Sequence, residues 1–373
     1  MRRGALVVAA VQEPAPARRL RPRSAERVAE ALVEARRAGQ AVIPVGGGRL
    51  LGMGDVPERW DVALQTRGLN RILAVTPADL TLSVEAGVTL EEIDAALAPV
   101  GQHLPIDPPG GPGQTVGGVL ASGVTGPLRQ RFGAPREFVI GLRVALPDGR
   151  LAASGGRVVK NVSGYDLAKL HLGALGSLGV IVAVSFKVFP RPVEDVTVAH
   201  TGGDPWAEAA RALTLSGPPV ALEIERGGTV RARFWGHGRG LARMLGELGW
   251  EPVPGANWNR GAAMPGAVWA RVAVPPRALR EVLESIPAEV DWWAWPGVGI
   301  AHLRGPLDAD AVRWVRGTAE TAGGSLVLLA APAALKVEVG AWGTPPATLV
   351  WMDRLRGAFD PDRTLAPGRF VTR

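Results

Sequence analysis

The chain has 373 residues, 47% hydrophobic and 21% charged, a size and composition typical of a globular protein with two domains. Its net charge of +7 is spread among acidic residues except at residues 18–23, so the sequence shows no basic face for nucleic acid. No cysteine is present, which excludes disulfides, thiolate nucleophiles and an iron–sulfur cluster held by cysteines of this chain.

The first residues carry only a weak targeting pattern. Two arginines and an apolar run at residues 1–11 imitate a signal peptide, but Gln12-Glu13-Pro14 is a poor cleavage context and the run equally fits a first strand. The longest apolar stretches, such as residues 326–331, are far shorter than a membrane span. We therefore expect a cytoplasmic protein with no direct membrane span.

A helix, a strand and a glycine loop follow one another near the start of the chain. Ser24 can cap a helix whose apolar residues recur at helical spacing until Gly39. Residues 41–45 then fit a short buried strand that ends at Gly46-Gly47-Gly48. Each glycine costs about 0.5–1 kcal/mol relative to alanine, so three together indicate a place where Cβ atoms would obstruct a ligand. A phosphate held by backbone N–H groups is one such ligand, and a surface turn is the alternative.

Two further glycine-rich segments occur before residue 190. In residues 105–118, prolines fix the backbone and glycines open it, which suits a rigid wall against a flat ligand. Residues 160–179 form the third such segment and contain the single tyrosine, Tyr165. The predicted elements around these segments are strands at 62–64, 72–75, 80–85 and 180–188, a capped helix at 89–97, and a hairpin at 138–151.

The second half of the chain has a different composition. Eleven of the 12 tryptophans follow residue 200, which indicates a second core and a boundary near residues 189–192. Strands and helices alternate there in an order typical of a split, ferredoxin-like α/β domain with an antiparallel sheet. The predicted strands are 196–199, 221–225, 230–235, 268–274, 298–303 and 326–329, and the predicted helices are 206–213, 239–248, 277–285, 309–322 and 347–358.

Several common site chemistries are missing from the sequence. There is no Walker P-loop, and Leu51 stands where a dinucleotide fingerprint needs its third glycine, so a Rossmann site is not expected. The five histidines show no metal-ligand spacing, and no Gly-x-Ser-x-Gly elbow occurs. What remains is three glycine-rich loops beside strands, which together would offer N–H donors to a diphosphate and apolar walls to a planar ring.

Seven short motifs follow one another in the first half. They are Val-Gly-Gly-Gly at 45–48, Asp-Pro-Pro at 107–109, Thr-Val-Gly-Gly at 115–118, Arg-Phe-Gly at 131–133, Pro-Asp-Gly at 147–149, Lys-x-x-x-Gly-Tyr-Asp-Leu at 160–167 and Gly-x-Leu-Gly-Val-Ile at 176–181. In this order they resemble the FAD domain of the vanillyl-alcohol oxidase/PCMH flavoprotein family, and the tail from Phe359 to Arg369 is similar to that family's ending. Within the family, the short length, residues 160–166 and the lack of cysteine most resemble the FAD-binding E subunits of glycolate oxidases.

The resemblance implies an α+β fold with a PCMH-type FAD-binding domain of two α/β subdomains at residues 1–190. A smaller ferredoxin-like α/β cap domain would follow at 191–358, and a tail at 359–373 would return to the FAD domain. The implied function is that of an FAD-binding oxidoreductase subunit in a glycolate (2-hydroxyacid) oxidase complex. Its implied partners are a catalytic flavoprotein subunit and an iron–sulfur subunit, through which it would lie at the inner face of the membrane.

The resemblance also implies a set of FAD-binding residues. The first glycine loop would hold the pyrophosphate, the second would complete that cradle and approach the flavin, and the strand after the third would border the adenosine. The implied residues are Val45, Gly46, Gly47, Gly48, Arg49, Leu50, Asp107, Pro108, Thr115, Val116, Gly117, Gly118, Ser122, Gly123, Gly126, Lys160, Gly179, Val180 and Ile181.

Three departures from the family pattern bear on function. Relatives carry an asparagine where this chain has Ser122-Gly123, and covalent relatives place a histidine where Arg49-Leu50 stand, so FAD is expected to bind non-covalently. The catalytic members' His-rich, Asp-Gly-Asn-containing motif does not occur, which leaves His302 as the nearest acid/base candidate. Two other functions stay open, a stand-alone FAD-linked D-2-hydroxyacid dehydrogenase such as a D-lactate dehydrogenase, and a non-catalytic structural flavoprotein subunit.

Overall fold

A computed structural model describes residues 15–156, 167–258 and 268–371. Up to residue 190 its elements are β1 (Arg18–Leu20), α1 (Ala25–Arg37), β2 (Val42–Val45), β3 (Val62–Gln65), β4 (Ile72–Thr76), β5 (Thr81–Glu85), α2 (Leu90–Leu97), β6 (Gln102–His103), α3 (Val116–Ser122), α4 (Arg129–Phe132), β7 (Val139–Ala145), β8 (Leu151–Gly155), α5 (Ala168–His171), β9 (Val180–Lys187) and β10 (Phe189–Pro190).

Local sequence signals explain where the first helices begin. The Ser24 hydroxyl accepts a hydrogen bond from the Arg27 N–H at 3.3 Å, and this cap starts α1 at the predicted place. At α2, the Thr89 and Glu92 side chains each accept a hydrogen bond from the other residue's backbone N–H, as the sequence predicts. Both predictions are confirmed.

Two sheets pack together in this part of the molecule. A parallel sheet has the order β1-β3-β2, and an antiparallel sheet has the order β4-β5-β9-β7-β8. The buried face of α1, with Val28 and Leu32, fills the space between them. Helices α2 and α3 cover a second core against the five-stranded sheet, and so the loop that precedes α3 is held close to the end of β2.

The second part of the chain contains two copies of one motif. Its elements are β11 (Glu194–Thr201), α6 (Pro205–Leu213), β12 (Ala221–Glu225), β13 (Thr229–Gly236), α7 (Gly238–Leu248), β14 (Glu251–Pro252), β15 (Val268–Ala273), α8 (Leu279–Glu284), β16 (Asp291–Trp295), β17 (Ile300–Gly305), α9 (Ala309–Thr321), β18 (Ser325–Ala330), α10 (Ala333–Val339) and α11 (Leu349–Phe359). Each half of the series from β11 to β18 has the order βαββαβ of a ferredoxin-like unit.

The two units join edge to edge into one antiparallel sheet. Its strand order is β14-β11-β13-β12-β16-β17-β15-β18, and the pairing of β12 with β16 makes the junction. The sequence predicts a ferredoxin-like sheet but misses β16. Its sequence Asp-Trp-Trp-Ala-Trp is rich in tryptophan, which strands favour, but it is short and shows no regular alternation of apolar and polar residues. The α+β class is confirmed, and the described part of the chain contains the ferredoxin-like unit twice.

The eight-stranded sheet has one face toward the first half of the chain. Helices α6 and α7 cover the other face at one end of the sheet, and α8 and α9 cover it at the other end. On the inner face, Trp269, Trp293 and Trp295 pack in one cluster with Met53 and Leu175. The tryptophans thus serve the contact between the two halves, in addition to the second core that the sequence predicts.

The C-terminal tail pairs with the first half. The Val42 N–H donates to the Thr364 carbonyl at 2.7 Å, and the Ala366 N–H donates to the Val42 carbonyl at 2.9 Å. The tail therefore pairs alongside the start of β2, on the strand that leads into the glycine loop. Across the described residues, none of the helices combines the length and the apolar character needed to span a membrane.

Candidate functional site

The predicted glycine-rich loops line one cavity. Its empty volume of about 750 Å³ includes space that is open to solvent. The sequence-predicted residues that line it are Val45, Gly46, Gly47, Gly48, Arg49, Leu50, Thr115, Gly117, Gly118, Ser122, Val180 and Ile181. The segments at residues 45–50, 115–122 and 180–181, which are far apart in sequence, therefore meet at this cavity, as the motifs predict.

Thr115 connects two of these segments. Its Oγ1 accepts hydrogen bonds from the Gly118 N–H and from the Gly47 N–H, both at 3.3 Å. A Cβ on Gly46 would lie 2.1 Å from this Oγ1, and a Cβ on Gly47 would lie 2.0 Å from the Gly113 carbonyl oxygen. Two of the three consecutive glycines are therefore required by the close packing of one loop against the other.

Gly48 is in a different situation. Its φ is +74°, and a Cβ placed there would meet nothing within 4 Å. In the described part of the chain, the backbone N–H groups of Gly48, Arg49 and Leu50 have no hydrogen-bond acceptor. Successive N–H groups around a residue with positive φ form a concave donor site for anions. This segment is thus the part of the loop that fits a diphosphate.

Arg369 is a lining residue that the sequence analysis misses. Its guanidinium donates to the carbonyl oxygens of Leu51 at 2.6 Å and Met53 at 2.7 Å, so the C-terminal tail fixes the loop from behind. On the opposite side, Arg49 Nε donates to the Pro112 carbonyl at 2.8 Å. The Pro-Gly-Arg ending of the tail was the available signal for Arg369, although its contact with the loop spans more than 300 residues.

The rest of the cavity wall is largely apolar. Besides Val180 and Ile181 it includes further residues that the sequence analysis does not name as site residues, namely Pro44, Leu51, Thr66, Gln114, Val119, Ala121, Leu175 and Gly176. Gln114 Nε2 donates to the Pro108 carbonyl at 3.0 Å. Pro108 therefore lies behind the wall and holds a residue that forms it.

Asp107 and Gly126 contact each other away from the cavity lining. A Cβ on Gly126 would lie 1.8 Å from the Asp107 carbonyl oxygen, and the Asp107 carboxylate accepts a hydrogen bond from the Leu128 N–H at 3.1 Å. Burial raises the pKa of Asp107 to about 7. This carboxyl group organises the turn at residues 126–128.

The other predicted site residues lie elsewhere. Val116 is buried in the core beneath α3, and Gly179 packs against the His171 side chain. Gly123 lines a neighbouring cavity. Lys160, together with Tyr165, lies outside the described residues.

His302 is enclosed by aromatic side chains. It has no exposed surface, its ring stacks on Trp293 with centroids 5.2 Å apart, and its Nδ1 accepts a hydrogen bond from Trp269 Nε1 at 3.2 Å. Burial, with Arg271 and Arg304 nearby, lowers the pKa of His302 to about 3, so the imidazole is neutral at pH 7. It does not line the glycine-walled cavity, and its acid/base role stays a prediction. The described residues contain no cluster of metal-binding side chains.

Comparison with known proteins adds the family context. Residues 16–155 match the family model described as "FAD binding domain". The glycolate oxidase subunit GlcE of Escherichia coli is 32% identical over 270 residues, which is 69% of this chain and 71% of GlcE. The D-lactate dehydrogenase of Archaeoglobus fulgidus is 31% identical over 61% of this chain and 52% of its own length.

Two more comparisons concern a shorter match and the fold. The glycolate oxidase subunit GlcD of Bacillus subtilis is 30% identical over 46% of this chain, and the match covers only 36% of GlcD. A solved structure of an alkyldihydroxyacetonephosphate synthase superposes with a TM-score of 0.70 and 16% identity, covering 94% of this chain and 77% of that one. At this identity the superposition establishes a shared fold.

Proposed function

The chain belongs to the FAD-binding family of glycolate oxidase subunit GlcE, and we propose that it is the FAD-binding subunit of a complex that oxidises glycolate or a related 2-hydroxy acid. FAD is the cofactor of this oxidoreductase family, and when bound it supplies the two-electron oxidation chemistry. Electrons would leave through a catalytic flavoprotein subunit and an iron–sulfur subunit. Because this chain has no cysteine, a cluster would have to be held by a partner.

The observation that carries the proposal is the glycine-walled cavity. The N–H groups of Gly48, Arg49 and Leu50 would hold the diphosphate, and Val180 and Ile181 would contact the adenosine. No histidine follows the glycines, so attachment of the flavin to this loop through a histidine is not available and we propose non-covalent binding. The remaining predicted contacts, including Lys160, are part of this proposal.

The domain division and the location in the cell belong to the same proposal. We divide the chain into an FAD domain at 1–190, a cap at 191–358 and a returning tail at 359–373. The pairing of residues 364–366 with β2 supports the last assignment. We place the protein in the cytoplasm, at the inner face of the membrane through its partners.

The similarity to a D-lactate dehydrogenase favours a second candidate, a dehydrogenase that acts without partners. The enclosed position of His302 and the missing His-rich motif favour the subunit instead, because the described part of the chain offers no accessible histidine at the cavity. A structural flavoprotein subunit is the third possibility.

The experiment is a flavin assay on the purified chain, alone and with co-expressed partners. We expect an FAD spectrum and release of all flavin into the supernatant after acid precipitation. Glycolate should reduce the flavin when the partners are present, whereas reduction by D-lactate or glycolate without partners would favour the stand-alone enzyme. A flavin that no partner can reduce would indicate a structural subunit, and a chain that neither contains nor takes up FAD would contradict all three.

A further inference from the structure

A second cavity adjoins the glycine-walled one. Ser122 lines both, and the second has about 1260 Å³ of empty volume between the first half of the chain and the eight-stranded sheet. Its charged lining residues are Arg129, Arg136, Glu137 and Arg271. Arg129 and Arg271 also line a third cavity that continues along the same junction. These two arginines come from different halves of the molecule.

Arg271 lies on the inner face of the eight-stranded sheet. On β15 it is paired with His302 of β17 and with Val327 of β18. The side chain is largely buried, its Nε has no partner, and its guanidinium makes no hydrogen bond within the part of the chain that the structure describes. Burial and the nearby positive charge of Arg129 both lower the pKa of Arg271.

Arg129 reaches the same place from the other side. It begins α4, which rests against the second half, since Gln130 Nε2 donates to the Pro219 carbonyl at 2.9 Å. The Arg129 guanidinium donates only a long hydrogen bond, of 3.4 Å, to the Thr125 hydroxyl, and no described carboxylate pairs with it. Burial, with Arg136 nearby, lowers the pKa of Arg129 as well.

The other charges of the second cavity neutralise each other. Arg136 pairs with Glu137 at 3.0 Å at the exposed rim. Arg129 and Arg271 therefore leave two uncompensated positive charges in a partly desolvated space, an arrangement that costs free energy unless an anion binds there. Guanidinium groups match the planar, bidentate geometry of a carboxylate.

We propose that Arg129 and Arg271 form a subsite for the carboxylate of a small organic acid. Its position next to Ser122 brings the acid to the same region as the proposed cofactor cavity. The choice of a carboxylate rests on the proposed function. With this subsite the chain itself binds the acid, rather than only passing on electrons.

The test is isothermal titration of the purified full-length holoprotein with oxalate, a small carboxylate that is not a 2-hydroxy acid. We expect saturable binding by the wild type, at least tenfold weaker binding by Arg271→Met and by Arg129→Gln, and an intermediate effect of Arg271→Lys, which keeps the charge but loses the guanidinium fork. Arg277→Gln, at an exposed arginine that lines neither the second nor the third cavity, is the control and should bind oxalate like the wild type. Sulfate, titrated in parallel, should bind at least tenfold more weakly than oxalate.

Unchanged oxalate affinity in Arg271→Met would overturn the proposal, as would sulfate binding as tight as that of oxalate. Thermal unfolding without ligand identifies the variants that fold. If Arg271→Met does not fold, the oxalate affinity of Arg271→Lys tests the proposal instead. FAD content is measured on the same samples. Arginine-dependent oxalate binding by a chain without FAD would support the subsite and contradict the proposed function, whereas an FAD-loaded chain that does not bind oxalate would do the reverse.

Discussion

Each of the three consecutive glycines in the loop is required for its own physical reason. Gly46 and Gly47 are needed because a Cβ would collide with Thr115 and with the Gly113 carbonyl, so they fix the distance between two loops. Gly48 is needed for its positive φ and leaves open space above it. The sequence predicts the ligand loop from three glycines together, whereas the structure leaves only one of them open to a ligand.

A first prediction compares two glycines with positive φ. Gly48→Ala and Gly39→Ala introduce the same strain, about 1 kcal/mol of lost stability, because both positions are left-handed and sterically open. Only Gly48 lies in the cavity lining, so only Gly48→Ala should weaken FAD binding, by about tenfold. Calorimetric unfolding and FAD titration measure both effects. Equal FAD affinity in the two variants would show that the loop does not contact the cofactor.

A second prediction concerns pH and Asp107. The folded-state pKa of about 7 lies above the value of about 3.9 for an unfolded aspartate, so between these values only the folded chain retains the proton. Stability should therefore fall as pH rises from 4 to 7, by up to about 1.4 kcal/mol per pH unit from this group. Denaturant unfolding of wild type and Asp107→Asn across this range isolates the effect. The stability difference between the two proteins should shift with pH, and a constant difference would be incompatible with a buried, protonated Asp107.

At the scale of elements, local sequence signals were sufficient to predict helix caps and a hairpin, but they did not predict the pairing of strands that are distant in sequence. The caps of α1 and α2 and the hairpin of β7 and β8 depend on neighbours within about a dozen residues, and the sequence predicts them correctly. The junction of β12 with β16 joins strands about 70 residues apart, and nothing in the local pattern of β16 indicates it.

The same distinction applies to the candidate site. Segments with a recognisable motif, such as 45–50 and 115–118, were identified and do meet at the cavity. Arg271 could not be assigned from the sequence, since an arginine on a strand has no local pattern that shows which distant surface it faces. For Arg369 the Pro-Gly-Arg ending marks the tail, but it does not show which distant loop the arginine contacts. Their positions depend on how the tail and the eight-stranded sheet pack against the first half.

A third prediction tests the tail as a structural support of the loop. Arg369→Gln removes the guanidinium that binds the Leu51 and Met53 carbonyls, and leaving buried polar groups unpaired costs about 1–3 kcal/mol. We expect lower stability and weaker FAD binding in this variant. Arg363→Gln, on an exposed part of the same tail, serves as the control. If Arg369→Gln matches Arg363→Gln in both measurements, the tail does not support the loop.

At the scale of the whole molecule, the two halves share one interface. The tryptophan-rich face of the eight-stranded sheet packs on Met53 and Leu175, close to the end of the glycine loop. The two cavities adjoin at Ser122. One is walled by glycine loops, and the other is lined by Arg129 and Arg271, which pair with no carboxylate among the described residues. Under the two proposals, the cofactor and the acid would lie side by side between the proposed FAD domain and the proposed cap.

The most direct test of the central claim is a titration of the flavin-free chain with FAD, FMN and NAD. A cradle built for a diphosphate and an adenosine, next to space for a flavin ring, predicts saturable 1:1 binding of FAD. FMN lacks both the diphosphate and the adenosine and should bind much more weakly, and NAD, which has both but lacks the flavin ring, should also bind more weakly than FAD. Equal affinity for FMN and FAD, or a preference for NAD, would contradict the account.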